Sequence, residues 1–424
     1  MNIFLFDIDG VLVDGEGYFA ALDATLLYLL RRLGCQDPGG LSSSKTGSLS
    51  LSKTGSLLPT PEEWAYFEAQ GITSQWDMAP LGLAAILEAA CARLDLNAPP
   101  SLAAAEASSL LNNPALHGLQ VDYLELARRT AAELIPGEFA ALAALRLARR
   151  RSTGEGNPAL LFPHLQQGNL LEELLGDSRS PWVSPTMRIF QNFVLGDRVF
   201  GETYHLKPQV ETPSFLLIHD HPQISNTALR RLKDLQQQGQ ICLAVFSLRP
   251  SLPPPPVSQP NGYTPESELA LQIMGLEKTP LVGFGHIQQL AQSSGQPIKS
   301  LQKPAPLQAL AAILAGISGD ERLALGAALQ TVEGRQPAEL LRQVLAAAGF
   351  TDRAAVQVHV FEDSAGGIRS AQGARQILEQ RGLEARLHAW GISSNPYKAE
   401  ALRQAGACVF PDTSSALEAA FNAL

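Results

Sequence analysis

Near its start the chain carries two acids, Asp7 and Asp9, spaced i, i+2 and followed by Gly10. Ahead of them runs Asn2-Ile3-Phe4-Leu5-Phe6, apolar in the way of a strand buried on both faces. A strand that stops in Asp-x-Asp-Gly delivers two carboxylates to the carboxyl edge of a sheet, where ligands bind in open α/β folds. Carboxylates so close repel each other unless they share a proton or a cation, and a divalent metal is the natural candidate. The plainer alternative is a hairpin turn, which Asp-Gly after a strand also makes. An EF-hand is excluded. Counted from Asp7, the places that need a ligand oxygen, a glycine and a glutamate hold Val11, Leu12 and Tyr18. A second apolar run, Val358-His359-Val360-Phe361, ends in Glu362-Asp363-Ser364, followed by Gly366 and Gly367. Read alone, Glu362 and Asp363 would cap a helix and offset its dipole.

Positioning such acids takes a sheet. In the second half of the chain, apolar runs predict strands over 241–246, 281–284, 355–361, 386–392 and 409–410. Between them the pattern predicts helices over 222–237, 265–274, from 306, and over 337–348, 366–381, 398–405 and 415–423. This alternation predicts an α/β fold with a mainly parallel sheet covered by helices on both faces. The first half differs. A helix is expected over 19–33, and residues 61–201 carry Leu and Ala at three-to-four spacing, notably over 81–96, 121–134 and 138–151. Residues 36–57 are low in complexity, Ser44-Lys45-Thr46-Gly47-Ser48-Leu49 recurring as Ser52-Lys53-Thr54-Gly55-Ser56-Leu57. That period is too short for a solenoid and reads as an expanded loop. The expected division is residues 1–14 with 215–424 as the α/β domain, and 15–214 as a helical insertion.

Composition narrows the function classes. The 424 residues suit two or three domains at ~150 residues each. The net charge of −9 repels polyanions, which argues against nucleic acid and acidic membrane surfaces as partners. No apolar run approaches the ~20 residues of a membrane span. The N-terminus lacks the basic region of a secretory signal. The cysteines, Cys35, Cys91, Cys242 and Cys408, are scattered without a Cys-x-x-Cys pair, and read as buried apolar residues of a cytoplasmic protein.

The stretch Phe6-Asp7-Ile8-Asp9-Gly10-Val11-Leu12-Val13-Asp14 resembles the first motif of the haloacid dehalogenase (HAD) superfamily, whose members are mostly phosphoryl-transfer hydrolases. Three further motifs follow in the family's order. Ser247 stands directly after Ala244-Val245-Phe246, Lys303 opens Lys303-Pro304-Ala305-Pro306 before a helix, and Glu362-Asp363-Ser364 matches the form seen in β-phosphoglucomutase-like members. The resemblance covers residues 1–14 and about 215–424. It implies a Rossmann-like HAD core with an all-helical cap that selects substrates. It further implies that Asp7 is a nucleophile forming an aspartyl-phosphate, and that Asp9 protonates the leaving oxygen and then takes a proton from water. Ser247 and Lys303 would grip the phosphoryl group, with Gly10 and Arg249 as further substrate contacts. Mg²⁺ would be held by Asp7, the backbone carbonyl of Asp9, Asp363 and Glu362, the last directly or through water. The acid at Asp9 argues against a dehalogenase, since halide leaves without a proton. The Asp-Lys-Thr-Gly of P-type ATPases is absent.

The expected activity is therefore Mg²⁺-dependent hydrolysis of a small phosphorylated metabolite. The Glu-Asp-Ser form keeps a sugar phosphomutase as an alternative. The large insertion, and the long connection from Lys303 to Glu362, keep a phosphate- or partner-binding module with weak turnover as another. Elsewhere, His219-Asp220-His221 has metal-ligand residue types but reads as a surface loop before a helix start, Arg149, Arg150 and Arg151 read as cations ending a helix, and Arg188, within reach of a substrate anion as one alternative, reads as a solvated arginine. Ser42-x-x-Lys45 and Lys-Thr-Gly resemble pieces of serine β-lactamases, but they overlap here and no Ser-Asp-Asn occurs.

Overall fold

Asn2–Phe6 forms strand β1, and its side chains divide by alternation. Ile3 and Leu5 enter one apolar cluster, Phe4 and Phe6 the other, so the strand is buried from both sides. The computed structural model describes residues 1–35, 57–135, 138–149, 161–255, 262–334, 344 and 355–424. Five further strands are β2 (Ile241–Phe246), β3 (Leu281–Val282), β4 (Val356–Glu362), β5 (Ala385–Ile392) and β6 (Cys408–Phe410). They form one parallel sheet of order β3-β2-β1-β4-β5-β6. In β1, Phe6 lies opposite Val245 on one side and Phe361 on the other, so β1, β2 and β4 end at the same edge.

Helices Pro306–Ser318, Glu321–Val332 and Ala365–Gln380 close over Ile3, Leu5, Val358 and Val360. Helices Asn226–Gln237, Glu266–Met274 and Thr413–Phe421 cover the opposite face, around Phe4, Phe6 and Phe361. This is a Rossmann-like α/β arrangement, each face of the sheet buried under helices.

The chain divides into two compact units, Met1–Glu16 with His219–Leu424, and Gly17–Ile218. The sheet belongs to the first. The second is helical, with Gln75–Leu94 as its longest described helix; Pro185–Tyr204 is broken at Gly196, whose φ of 76° and ψ of 161° are not helical. Thr60 opens the helix Pro61–Ala69 with a capping box, its side chain accepting from Glu63 N while Glu63 accepts from Thr60 N. No helix among the described residues is long and apolar enough to cross a membrane.

Several expected elements differ. The helix expected from Pro222 begins at Asn226, because Ser225 caps it and Pro222 instead bridges Val13 in extended backbone. Strand β3 stops at Val282, and helix Phe284–Ser294 starts where the strand was expected to continue. The cause is close packing on Ser251. A Cβ on Gly283 would lie 2.4 Å from Ser251 Oγ, and one on Gly285 would lie 2.1 Å from Ser251 O. The cysteines are not uniformly buried: Cys91 is, while Cys408 on the edge strand β6 is exposed. The expected helix over 337–348 and loop over 36–57 lie almost wholly outside the described residues, as do Arg150 and Arg151.

Candidate active site

Asp7, Ser247 and Glu362 stand at the carboxyl ends of β1, β2 and β4. Lys303 comes from the turn before helix Pro306–Ser318. The backbone N–H of Asp7 extends the sheet by donating to Phe361 O at 3.0 Å. The N–H of Ile8 then donates to Asp7 Oδ1 at 2.8 Å, which fixes the carboxylate. Lys303 Nζ lies 3.1 Å from Asp7 Oδ2 and 2.8 Å from Glu362 Oε1, over the ring of Phe246 at 3.9 Å. Burial alone would lower the pKa of the ammonium. The charges of Asp7 and Glu362 outweigh it and hold Lys303 above the usual lysine range.

The acids are short of cations. Glu362 is fully buried, and that burial, reinforced by Asp7 and opposed by Lys303, pushes its carboxyl well above the ordinary value. Its Oε1 also accepts from Ser364 Oγ at 3.0 Å, and its Oε2 from Asp363 N at 3.1 Å. Asp363 is raised too, chiefly by burial, against the pull of Lys398 at 3.2 Å. One oxygen each from Asp7, Glu362 and Asp363 can be found within 4.8 Å of the others. Such a set of hard oxygen donors, gathered in one place, could hold a divalent cation.

Two glycines make room for these acids. Gly10 has φ +72°, and a Cβ there would lie 2.9 Å from Asp363 Oδ2. A Cβ on Gly367 would sit 1.8 Å from Glu362 Oε1, because the helix after β4 starts against that carboxylate.

Asp9 faces another way. Its Oδ1 accepts from Arg249 Nη1 at 2.9 Å, and Arg249 Nη2 donates to Asp220 Oδ2 at 2.6 Å. The side chains of Arg249 and Asp220 are both 0 % exposed, while Asp9 keeps 44 %. Although open on one side, Asp9 is raised to about 6 by the protein packed around it, with Arg249 opposing and Asp7 reinforcing the shift. Arg249, expected from the sequence as a substrate contact, has its guanidinium turned onto two carboxylates. The surface-loop reading of His219-Asp220-His221 is corrected, since Asp220 is the buried partner of that arginine.

Ser247 Oγ accepts from Arg249 N at 3.2 Å, which leaves its hydroxyl hydrogen available to an incoming acceptor. Gln308 ties this strand end to the lysine turn. Its Nε2 donates to Ser247 O and Val282 O, each at 2.9 Å, and its Oε1 accepts from Lys303 N at 3.2 Å.

The structure thus joins Asp7, Lys303, Glu362 and Asp363 directly, sets Gly10 against Asp363, and turns Asp9 toward Arg249. Within the helical unit, Arg188 donates to the carbonyls of Pro181 and Trp182, and Arg149 pairs with Glu172. Sequence reading missed Asp220, Gln308 and Lys398. An acid between two histidines, an amide in the first turn of an apolar helix and a lysine beside an Asn-Pro helix start are each commonplace, and only the fold brings them to the acids.

No family model matches the chain, and no curated protein does. Among solved structures the chain is similar to an X-ray structure of a Northeast Structural Genomics Consortium target, ZR25. The likeness has a TM-score of 0.53 at 14% identity and spans 100% of this chain and 99% of that one, which shows shared fold alone.

Proposed function

We propose that the α/β unit is a HAD-like phosphoric monoester hydrolase that uses Mg²⁺ on a small phosphorylated metabolite. The observation that carries this reading is the buried Lys303 ammonium between Asp7 and Glu362, with Asp363 in ligand range of both acids. Asp7, the backbone carbonyl of Asp9 and Asp363 would hold the ion, with Glu362 bound directly or through water. Bound there, it would orient the phosphate and offset its charge.

Each side chain then has a task. Asp7 attacks phosphorus as the ester oxygen leaves, forming an aspartyl-phosphate. Asp9 gives that oxygen a proton and later takes one from the water that cleaves the intermediate. The Ser247 hydroxyl and the Lys303 ammonium bind phosphoryl oxygens, over which charge spreads during transfer.

The test is release of phosphate from an aryl phosphate by the purified protein, with Mg²⁺ and with chelator. Hydrolysis should need the metal and should fall by about 1000-fold or more in Asp7→Asn. A wild-type rate no higher than that of Asp7→Asn sinks the hydrolase reading in favour of a binding module. Isomerisation of a sugar phosphate without phosphate release would make it a mutase.

A further inference from the structure

We propose that Asp220 and Arg249 are positioning residues that aim Asp9 at the leaving oxygen; this rests on the hydrolase reading above. Arg249 reaches Asp9 with one nitrogen and Asp220 with the other, at 2.9 and 2.6 Å, and neither the arginine nor Asp220 exposes any side-chain surface. A guanidinium held at both ends has one orientation, which a lysine in its place could not reproduce. It engages Oδ1 of Asp9, so Oδ2 is the oxygen presented to an ester.

The frame around this chain of contacts is also fixed. Segment 221–223 is laced to the loop that carries Asp9: Asp14 N donates to His221 O, His221 N to Asp14 Oδ1, and Gln223 N to Leu12 O, at 3.2, 3.0 and 2.8 Å. Arg249 is anchored in turn, its N–H donating to Ser247 Oγ and its carbonyl accepting from Ser267 Oγ at 3.0 Å. Asp9, Asp220 and Arg249 therefore come from three chain segments tied into one scaffold. In the transfer step the P–O bond to the alcohol breaks as the bond to Asp7 forms, and the proton on Asp9 passes to the departing oxygen. An alkoxide needs that proton, whereas a nitrophenolate leaves without it.

The experiment measures kcat/KM, which reports the steps up to alcohol release, for an alkyl phosphate and for 4-nitrophenyl phosphate. Asp220→Asn should lose about 10- to 100-fold on the alkyl ester and less than about 3-fold on the nitrophenyl ester. Circular dichroism checks folding. Arg249→Lys, which keeps the charge but cannot bridge both acids, is the second variant and should show the same split. Equal losses on both esters, or no loss on the alkyl ester, overturn the positioning role. A wild type no faster than Asp7→Asn on either ester overturns the hydrolase reading and this inference with it.

Discussion

Lys303 stands between two carboxylates of the candidate site, Asp7 and Glu362. Removing it, as in Lys303→Met, leaves Asp7 and Glu362 facing each other in a buried place with no cation between them. The expected cost is about 3–5 kcal/mol, read from chemical denaturation in chelator, with part of it recovered on adding Mg²⁺. The sign with pH follows from the raised folded value. Lysine's contribution is complete below its ordinary 10.5 and is lost only as pH climbs through the higher folded value. The gap between wild type and variant should therefore persist across neutral pH. A variant as stable as wild type in chelator would remove the central role given to this ammonium. At this scale the sequence made Asp7, Asp9 and Glu362-Asp363 legible, because acids that end apolar strands stand out. Asp220 and Gln308 were not legible, since their roles depend on partners 29 and 61 positions away.

Strand β4 carries an acid of the candidate site at its end and a titratable group in its middle. His359 is wholly buried between Phe4 and His388, at ring distances of 4.7 and 4.6 Å. Burial, with help from His388, lowers its pKa from 6.5 to about 4. The folded state therefore binds its proton later than the unfolded one, and stability is lost as pH falls from 6.5 toward 4. His359→Phe should remove that loss, a gain over wild type of about 2 kcal/mol near pH 5 that is absent near pH 7.5. Equal differences at the two pH values, in parallel urea titrations, would contradict the assignment. The helix after β4 offers a second test. Gly367→Ala drives a methyl into Glu362, so stability should fall by about 1–3 kcal/mol and, on the proposed hydrolase reading, metal-dependent turnover should fall with it. Unchanged turnover would mean that the helix yields without moving the acid. Strands β1, β2 and β4 were legible because apolar runs of that length are rare outside a doubly covered sheet. Helix Phe284–Ser294 was not, because its start is set by glycines packing on Ser251 and not by its own periodicity.

For the whole molecule, the useful distinction is between the unit that holds the sheet and the 17–218 segment set into it. Charge, length and alternation of strands and helices made an α/β protein with a helical insertion legible, while the register of the crossing points was hidden. His221 carries no pattern that announces a contact with Asp14, yet both its N–H and its Nδ1 meet that carboxylate, at 3.0 and 3.1 Å. Val13 and Pro222 bridge beside it. Exit and return of the chain are thus stitched together inside one unit, like the two posts of a doorway. A short Gly-Ser bridge in place of residues 17–218 should leave a polypeptide that still melts cooperatively, with a urea m-value reduced in proportion to its smaller surface. A non-cooperative melt would show that the posts need what hangs between them. If they stand alone, whole domains can be exchanged at this threshold while the acids of the candidate site keep their places.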